Sequence, residues 1–333
     1  MELLLTGATG FVGRNLLLRL ITEQTGSRWS RIILPVRNPK KLQNQLADEG
    51  IGIPGNLTIF RVEENTWELP SDVRPDLVIH AAGQLFGRER EGYFQTNVSG
   101  SLNLAARLSG NARMIVLSSL AAGGPTPQGE IARTTDHQDM PVSYYGESKL
   151  AMERALRERL GERLLILRPP MVLGPRDAAT VPLFKMAKGE VRVKPGFRQK
   201  HYSWIAVEDL CEALLMAAVS EWVPGQKPFY LTAKQTITDG LLLATAAEVI
   251  NARGITLPLP HAAIQGVSWV LDVIPALRDI VPSLGPDRVR EILPDRWICD
   301  GGDFSESFNW EPSRDFSETL RSTAEWLKSR GRI

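Results

Sequence analysis

An aliphatic run, Leu3-Leu4-Leu5, breaks straight into Thr6-Gly7-Ala8-Thr9-Gly10-Phe11-Val12-Gly13 and then into an apolar-periodic segment. That order prescribes strand, tight turn and helix. A parallel strand buried on both faces reads as a continuous aliphatic run, and glycines at 7, 10 and 13 let backbone come close to a ligand. A helix starting near Phe11 aims its unpaired N–H groups and positive dipole end at an anion such as a pyrophosphate. The other common phosphate loop does not fit: a Walker loop ends in Gly-Lys-Ser/Thr, whereas Gly13 is followed by Arg14-Asn15. Strand, glycine turn and helix in this spacing predict a dinucleotide site.

The pattern then repeats. After the first helix, near Phe11 to Thr22, the runs Arg31–Arg37, Leu57–Phe60 and Leu77–His80 read as strands. A helix from about Tyr93 to Leu108 leads to a strand at Met114–Ser119. A second, from about Ser143 to Leu160, leads to Leu164–Arg168 and the stop Pro169-Pro170. Strands alternating with helices predict right-handed crossovers and a doubly wound parallel sheet of α/β class, with ligands at the carboxyl ends of the strands. Beyond Gly174-Pro175 the alternation loosens and prolines accumulate at 182, 195, 224, 228, 258 and 260. The expected division is a nucleotide-binding domain over 1–173 plus about 203–232, and a smaller substrate-binding cap over about 174–202 and 233–333. The stretch from His261 to Val281, apolar with Trp269, Pro275 and the cation Arg278, is expected to form core or pocket lining.

Composition removes several classes of function. Basic and acidic residues number 39 and 38, a formal charge of +1, so no global field favours nucleic acid or an anionic membrane. Cys211 and Cys299 stand far apart and His80, His137, His201 and His261 form no ligand cluster, which argues against a metal and for a reducing compartment. The first strand leaves no room for a signal peptide, and no run of roughly 18 apolar residues predicts a membrane span. A cytoplasmic protein without an integral membrane segment is expected.

Tyr145 and Lys149 stand four apart on a predicted helix, so their side chains share a face. A phenol of ordinary pKa near 10 exchanges protons poorly at neutrality, and moving it by about 3 units takes roughly 4 kcal/mol, which a neighbouring ammonium and a cationic nicotinamide are expected to supply. Tyr144 is the rival, but it points about 100° further round the helix. Ser118-Ser119 ends the preceding strand beside the same crevice; one hydroxyl faces each side, and Ser119 is favoured. Asn97 relays protons through water to the lysine or braces the sheet.

Together, TGATGFVG, HAAG at 80–83, NVSG from Asn97, VLSSLAAGGP, YYGESK, LRPPMVLGPRD and WIAVEDL resemble the extended short-chain dehydrogenase/reductases, the NAD(P)-dependent epimerase/dehydratase group, over nearly the whole chain. The resemblance implies a Rossmann-type fold. It also implies that Tyr145 is the general acid/base, that Lys149 lowers its pKa and holds the nicotinamide ribose, that Ser119 binds the reacting oxygen, and that Asn97 takes the structural and relay position. By the same resemblance Gly7, Thr9, Gly10, Phe11, Val12, Gly13, His80, Ala81, Ala82, Pro169 and Val172 join Tyr145 and Lys149 around the cofactor. Ser119, Leu120, Met171, Tyr202 and Trp204 would meet the substrate. At the end of the second strand no acid stands where NAD-dependent members hold the adenosine ribose; Arg37, with Lys40 and Lys41 after it, suits the 2′-phosphate of NADP instead. The adenine-side aspartate is also missing, with Glu63 or Glu64 as stand-ins.

Departures from the family narrow the reaction. Met171 and Tyr202 stand where nucleotide-sugar members use an asparagine and an arginine for the diphosphate. Leu120-Ala121 replaces the acidic pair of the dehydratases, and the extra cysteine of the reducto-epimerases is missing. Plain hydride transfer between NADP(H) and a secondary alcohol or ketone of a hydrophobic small molecule is therefore expected, as in the hydroxysteroid dehydrogenase and dihydroflavonol reductase branches. The alternatives are a nucleotide-sugar epimerase, a non-catalytic NADP sensor and, from PVRNPKKL, a fatty-acyl or thioester reductase. A homodimer is possible, and the apolar face of Leu150, Met152, Leu156 and Leu160 serves that contact or the core.

Overall fold

The computed structural model describes residues 1–22, 28–63, 65–87, 89–222, 227–263, 266 and 286–333. Glu64, Trp269, Pro275, Arg278 and most of the His261–Val281 stretch therefore lie outside the described residues. Six strands, β1 (Glu2–Thr6), β2 (Arg31–Val36), β3 (Leu57–Arg61), β4 (Leu77–His80), β5 (Arg113–Leu117) and β6 (Leu164–Arg168), form a parallel sheet in the order β6-β5-β4-β1-β2-β3, and the short strand Phe229–Tyr230 adds beside β6. The direction of winding reverses between β1 and β4. That reversal opens the crevice in which a doubly wound sheet binds its ligand.

The aliphatic runs are explained by burial on both faces. Leu3, Leu5, Ile32, Leu34, Ile79, Ile115 and Leu165 pack into one core, while Leu4, Ile33, Val78, Met114, Val116 and Ile166 pack into the other. Helix α1 (Phe11–Thr22) and the helix Val207–Val219 cover the first face. Helix α6 (Tyr144–Leu160), preceded in the chain by α2 (Pro39–Ala47), α3 (Arg90–Phe94), α4 (Gly100–Ala106) and α5 (Leu120–Gly123), covers the second, where Met152, Leu156 and Leu160 are core residues. Three of the four residues considered for a dimer face, Met152, Leu156 and Leu160, thus pack on the sheet.

Two differences from the sequence expectation stand out. The helix expected over 93–108 runs continuously over Arg90–Ala106 but widens into a π-helical turn, Gln95–Ser99, between α3 and α4. The C-terminal third is also not all cap. Helices Val181–Lys188, Asp239–Val249 and Phe316–Ser329 share a separate core, but Phe304, Phe308 and Trp310 pack with Phe229 into the sheet's first core. Among the described residues no helix is long and apolar enough to cross a membrane.

Candidate active site

The glycine turn joins β1 to α1. Gly7 has φ +73°, a left-handed conformation that L side chains rarely adopt, and a Cβ there would stand 2.7 Å from the Ala81 carbonyl carbon. A Cβ at Gly13 would stand 2.2 Å from the Gly7 carbonyl oxygen, so glycine is what lets the helix seat on the turn. The Gly10 N–H donates to that same carbonyl at 2.8 Å. Thr9, Gly10, Phe11 and Val12 stay accessible at the rim, and α1 directs its first N–H groups there. This cradle fits a pyrophosphate. Gly13→Ala is accordingly expected to weaken dinucleotide binding at least a hundredfold in a fluorescence titration, whereas Gly52→Ala, with nothing within 4 Å, leaves it unchanged.

Around the turn, the Ala82 N–H donates to Thr6 Oγ1 at 3.1 Å, which sets the Ala81–Ala82 backbone over Gly7. His80 is buried, bridging Thr6 Oγ1 at 2.7 Å and Ser101 Oγ at 2.8 Å, with the Trp67 ring edge-on to it. Burial pulls its pKa down to about 3, with the Lys149 charge adding to the effect. The imidazole expected at the cofactor is therefore a neutral brace beneath the loop. Arg37 and Lys41 are exposed beyond β2, where Asn38 caps α2 by accepting from the Lys41 N–H at 3.0 Å. The Pro169 carbonyl accepts from the Leu120 N–H at 2.9 Å, and Val172 packs against the first core.

Helix α6 carries Tyr145 and Lys149. Ser143 caps it by accepting from the Gly146 N–H at 3.0 Å, which places Tyr145 and Lys149 on consecutive turns, 9% and 5% exposed. The Tyr145 phenol shares a hydrogen bond with Ser119. Ser119 Oγ also accepts from the Ala121 N–H at 3.1 Å, capping α5. Ser118 turns the other way and donates to Glu153. The two neighbouring hydroxyls divide as strand geometry requires, with Ser119 on the Tyr145 side. Asn97, in the π-helical turn, accepts from the Gln84 N–H at 2.8 Å and donates to the Gln84 carbonyl at 3.1 Å and Ser148 Oγ at 2.9 Å. Its amide is fully engaged as a brace on the Gly83–Gln84 loop, beside which the Lys149 ammonium also lies.

The protein's own groups set the starting point from which a cationic nicotinamide would act on the phenol. Burial pushes Tyr145 up to about 12, only partly opposed by the Ser119 hydrogen bond and the Arg288 charge. Lys149 is drawn down to about 8 by burial against the opposing pull of Glu153, and its ammonium donates to the Leu117 carbonyl at 2.8 Å rather than to the phenol. Among the protein's own groups, desolvation of the phenol outweighs the nearby Arg288 charge.

Two groups of residues escape sequence reasoning. Beneath the pair, Arg168 donates to both Glu153 oxygens, at 2.8 and 2.6 Å, to both Asp139 oxygens, at 2.7 and 2.9 Å, and to the Tyr230 hydroxyl at 3.1 Å. Desolvation works against its charge, but the two carboxylates more than offset it. The available signal was an arginine closing a wholly aliphatic strand, which demands buried acids. Above the pair, the helix Pro286–Ile292 docks on the start of α6. Asp287 accepts from the Tyr144 N–H at 2.7 Å, and Glu291 accepts from Ser143 Oγ at 2.6 Å and from Arg288 at 2.6 Å.

Beside this helix lies a cavity of about 340 Å³, lined by Met171, Leu183, Leu242, Tyr202 and Ile292, with Arg288 and Glu291 at its polar edge. Of the residues expected to meet substrate, Met171 and Tyr202 line it. Trp204 does not: it is core, 2% exposed, its indole N–H on the Gln235 carbonyl at 2.9 Å and its ring edge-on to Phe316. Leu120 likewise packs against Tyr230, Trp297 and Cys299. An apolar residue at a strand end serves core and pocket equally well by type, and depth decides. No cluster suited to a metal occurs among the described residues.

A family model described as the NAD dependent epimerase/dehydratase family matches residues 3–226. The chain is similar, at 28% identity over 335 residues, to a ceramide reductase of Caulobacter vibrioides, covering 98% of this chain and 94% of that protein. It is 24% identical over 352 residues to a decarboxylating sterol-4-alpha-carboxylate 3-dehydrogenase of Candida albicans, covering 98% and 97%. In structure it resembles a UDP-glucuronic acid 4-epimerase of Bacillus cereus, solved with UDP-glucuronic acid and NAD, with TM-score 0.75 at 17% identity and coverage of 99% and 100%. That last likeness is one of fold.

Proposed function

From the premise that the chain belongs to the NAD dependent epimerase/dehydratase family, enzymes that use NAD(P), we propose that it is an NADP(H)-dependent oxidoreductase acting on a secondary alcohol or ketone of a hydrophobic, long-chain or polycyclic small molecule. The observation that carries this reading is the pairing of Tyr145 with Ser119 at the start of α6, with Lys149 one turn on, where the docked helix Pro286–Ile292 also lends Arg288, Glu291 and Ile292 to a largely apolar cavity. The bound dinucleotide supplies or accepts the hydride. Tyr145, protonated at neutral pH in a desolvated site, gives its proton to the carbonyl oxygen in reduction and recovers one from the hydroxyl in oxidation. Ser119 holds that oxygen against the phenol. Lys149 stands one turn away to hold the ribose and to face the phenolate once the proton has left. The printed substrates of the ceramide and sterol relatives support a lipid-like substrate.

A nucleotide-sugar epimerase keeps the same acid/base pair but needs cations for two phosphates. Among the described residues lining the cavity, the guanidinium of Arg288 is already paired with Glu291, which leaves the diphosphate poorly compensated. A panel of long-chain ketones, sterol-like ketones and nucleotide sugars, followed by the absorbance of reduced nicotinamide, tests the reading. Turnover of nucleotide sugars alone overturns it. Arg37→Ala is expected to weaken NADPH binding about tenfold or more and to leave NADH binding unchanged, consistent with a charge-assisted contact to the 2′-phosphate. NAD binding ten times tighter than NADP in the unaltered protein refutes the NADP assignment.

A further inference from the structure

A half-buried strand normally turns its apolar side chains inward, but of the two strands beside the cavity the first reverses this order and the second is open to solvent at four successive positions, 255–258. Val191–Pro195 and Ile255–Leu259 pair in parallel, with Ile255 opposite Val191, Leu257 opposite Val193 and Leu259 opposite Pro195. Alternation puts these six apolar side chains on one face. Four of them are open to solvent: Val191 at 56%, Val193 at 39%, Ile255 at 60% and Leu257 at 48% exposure. Between them Arg192 turns inward, buried, and donates to the carbonyls of Ala187 and Ala252. Just past the first strand Gly196, at φ +79°, turns the chain and presents Phe197 at 72% exposure. Met186, Val193 and Pro195 carry the same apolar surface into the cavity wall.

A contiguous apolar face of this kind marks an interaction surface, and its charge selects the partner. Over residues 181–200 the exposed charges are Lys185, Lys188 and Arg198 against Glu190, with Arg192 and Lys200 buried, in a chain whose net charge is only +1. Lys188 and Arg198 stand exposed at the two ends of the first strand, and Arg253 is exposed just before the second. Apolar side chains framed by cations match a bilayer, where the former enter the headgroup boundary and the latter meet lipid phosphates. We propose that this face docks on an anionic lipid surface, with the cavity wall of Met186, Val193 and Pro195 turned toward the lipid. Docking does not depend on the identity of the substrate. Direct entry of a membrane-dissolved ketone or alcohol into the cavity is a corollary that rests on the function proposed above.

The test is co-sedimentation of the full-length protein with vesicles of phosphatidylcholine alone and of phosphatidylcholine mixed with phosphatidylglycerol, without substrate or cofactor. Because each basic residue near an anionic surface strengthens binding about fivefold, the mixed vesicles are expected to bind at least tenfold tighter, and salt to reverse the difference. Phe197→Glu combined with Ile255→Glu is expected to lower vesicle binding more than tenfold while dinucleotide affinity and melting temperature stay unchanged. Protein that remains in the supernatant with both vesicles overturns the proposal. So does a dimer that the double variant splits, or a marked fall in melting temperature with Ile255→Glu alone, since the face is then covered by a second copy or by the chain itself. A failed substrate panel with intact vesicle binding removes the catalytic reading and leaves the docking surface standing.

Discussion

Tyr145→Phe is expected to lower turnover about a thousandfold, within the range for loss of a general acid, and to leave dinucleotide affinity unchanged. Such a loss corresponds to roughly 4 kcal/mol of transition-state stabilisation. The substitution removes one oxygen from a ring held 6.2 Å from the Tyr93 ring in a closed site, so the melting temperature stays close to that of the unaltered protein. Steady-state kinetics on the best ketone of the panel, with a fluorescence titration of NADPH, separates the two effects. Turnover within tenfold of the unaltered protein moves the proton elsewhere and sinks the proposed chemistry.

Arg168→Met is expected to destabilise the fold by about 3–5 kcal/mol, because the Glu153 carboxylate, 4% exposed, is left buried without its counter-charge. For a chain of 333 residues that is a fall in melting temperature of roughly 4–7 °C. Asp139, at 26% exposure, recovers part of its solvation from water, so Glu153 carries most of the penalty. Adding Glu153→Leu to Arg168→Met removes the orphaned charge and is expected to restore much of the loss, since an apolar replacement of a buried ion pair is often near neutral. Scanning calorimetry of the single and double variants checks both statements. A single variant that melts within a degree of the unaltered protein refutes the account of this network.

The parallel sheet and the Tyr145–Lys149 pair were legible because each rests on local pattern: aliphatic strands buried on both faces, a glycine turn, and a spacing of four on one helix. What was hidden depends on residues distant in sequence. The π-helical turn within the helix through Asn97, whose amide anchors the Gly83–Gln84 loop, has no local sequence signal. Trp204 was assigned to the pocket on its apolar character, but its depth depends on Phe316, more than a hundred residues later. Glu153 and Arg168 each read as ordinary charges until the sheet brings them together.

The contacts of Asp287 and Glu291 with Tyr144 and Ser143 tie the helix Pro286–Ile292 to the same turn that aims the phenol. Because Arg288, Glu291 and Ile292 of that helix also line the cavity, under the proposed function grip on the substrate and the aim of the acid would share one fulcrum. A molecule that fits poorly against this wall would then lose rate as well as affinity, with selectivity exercised at the moment of proton transfer rather than at the entrance.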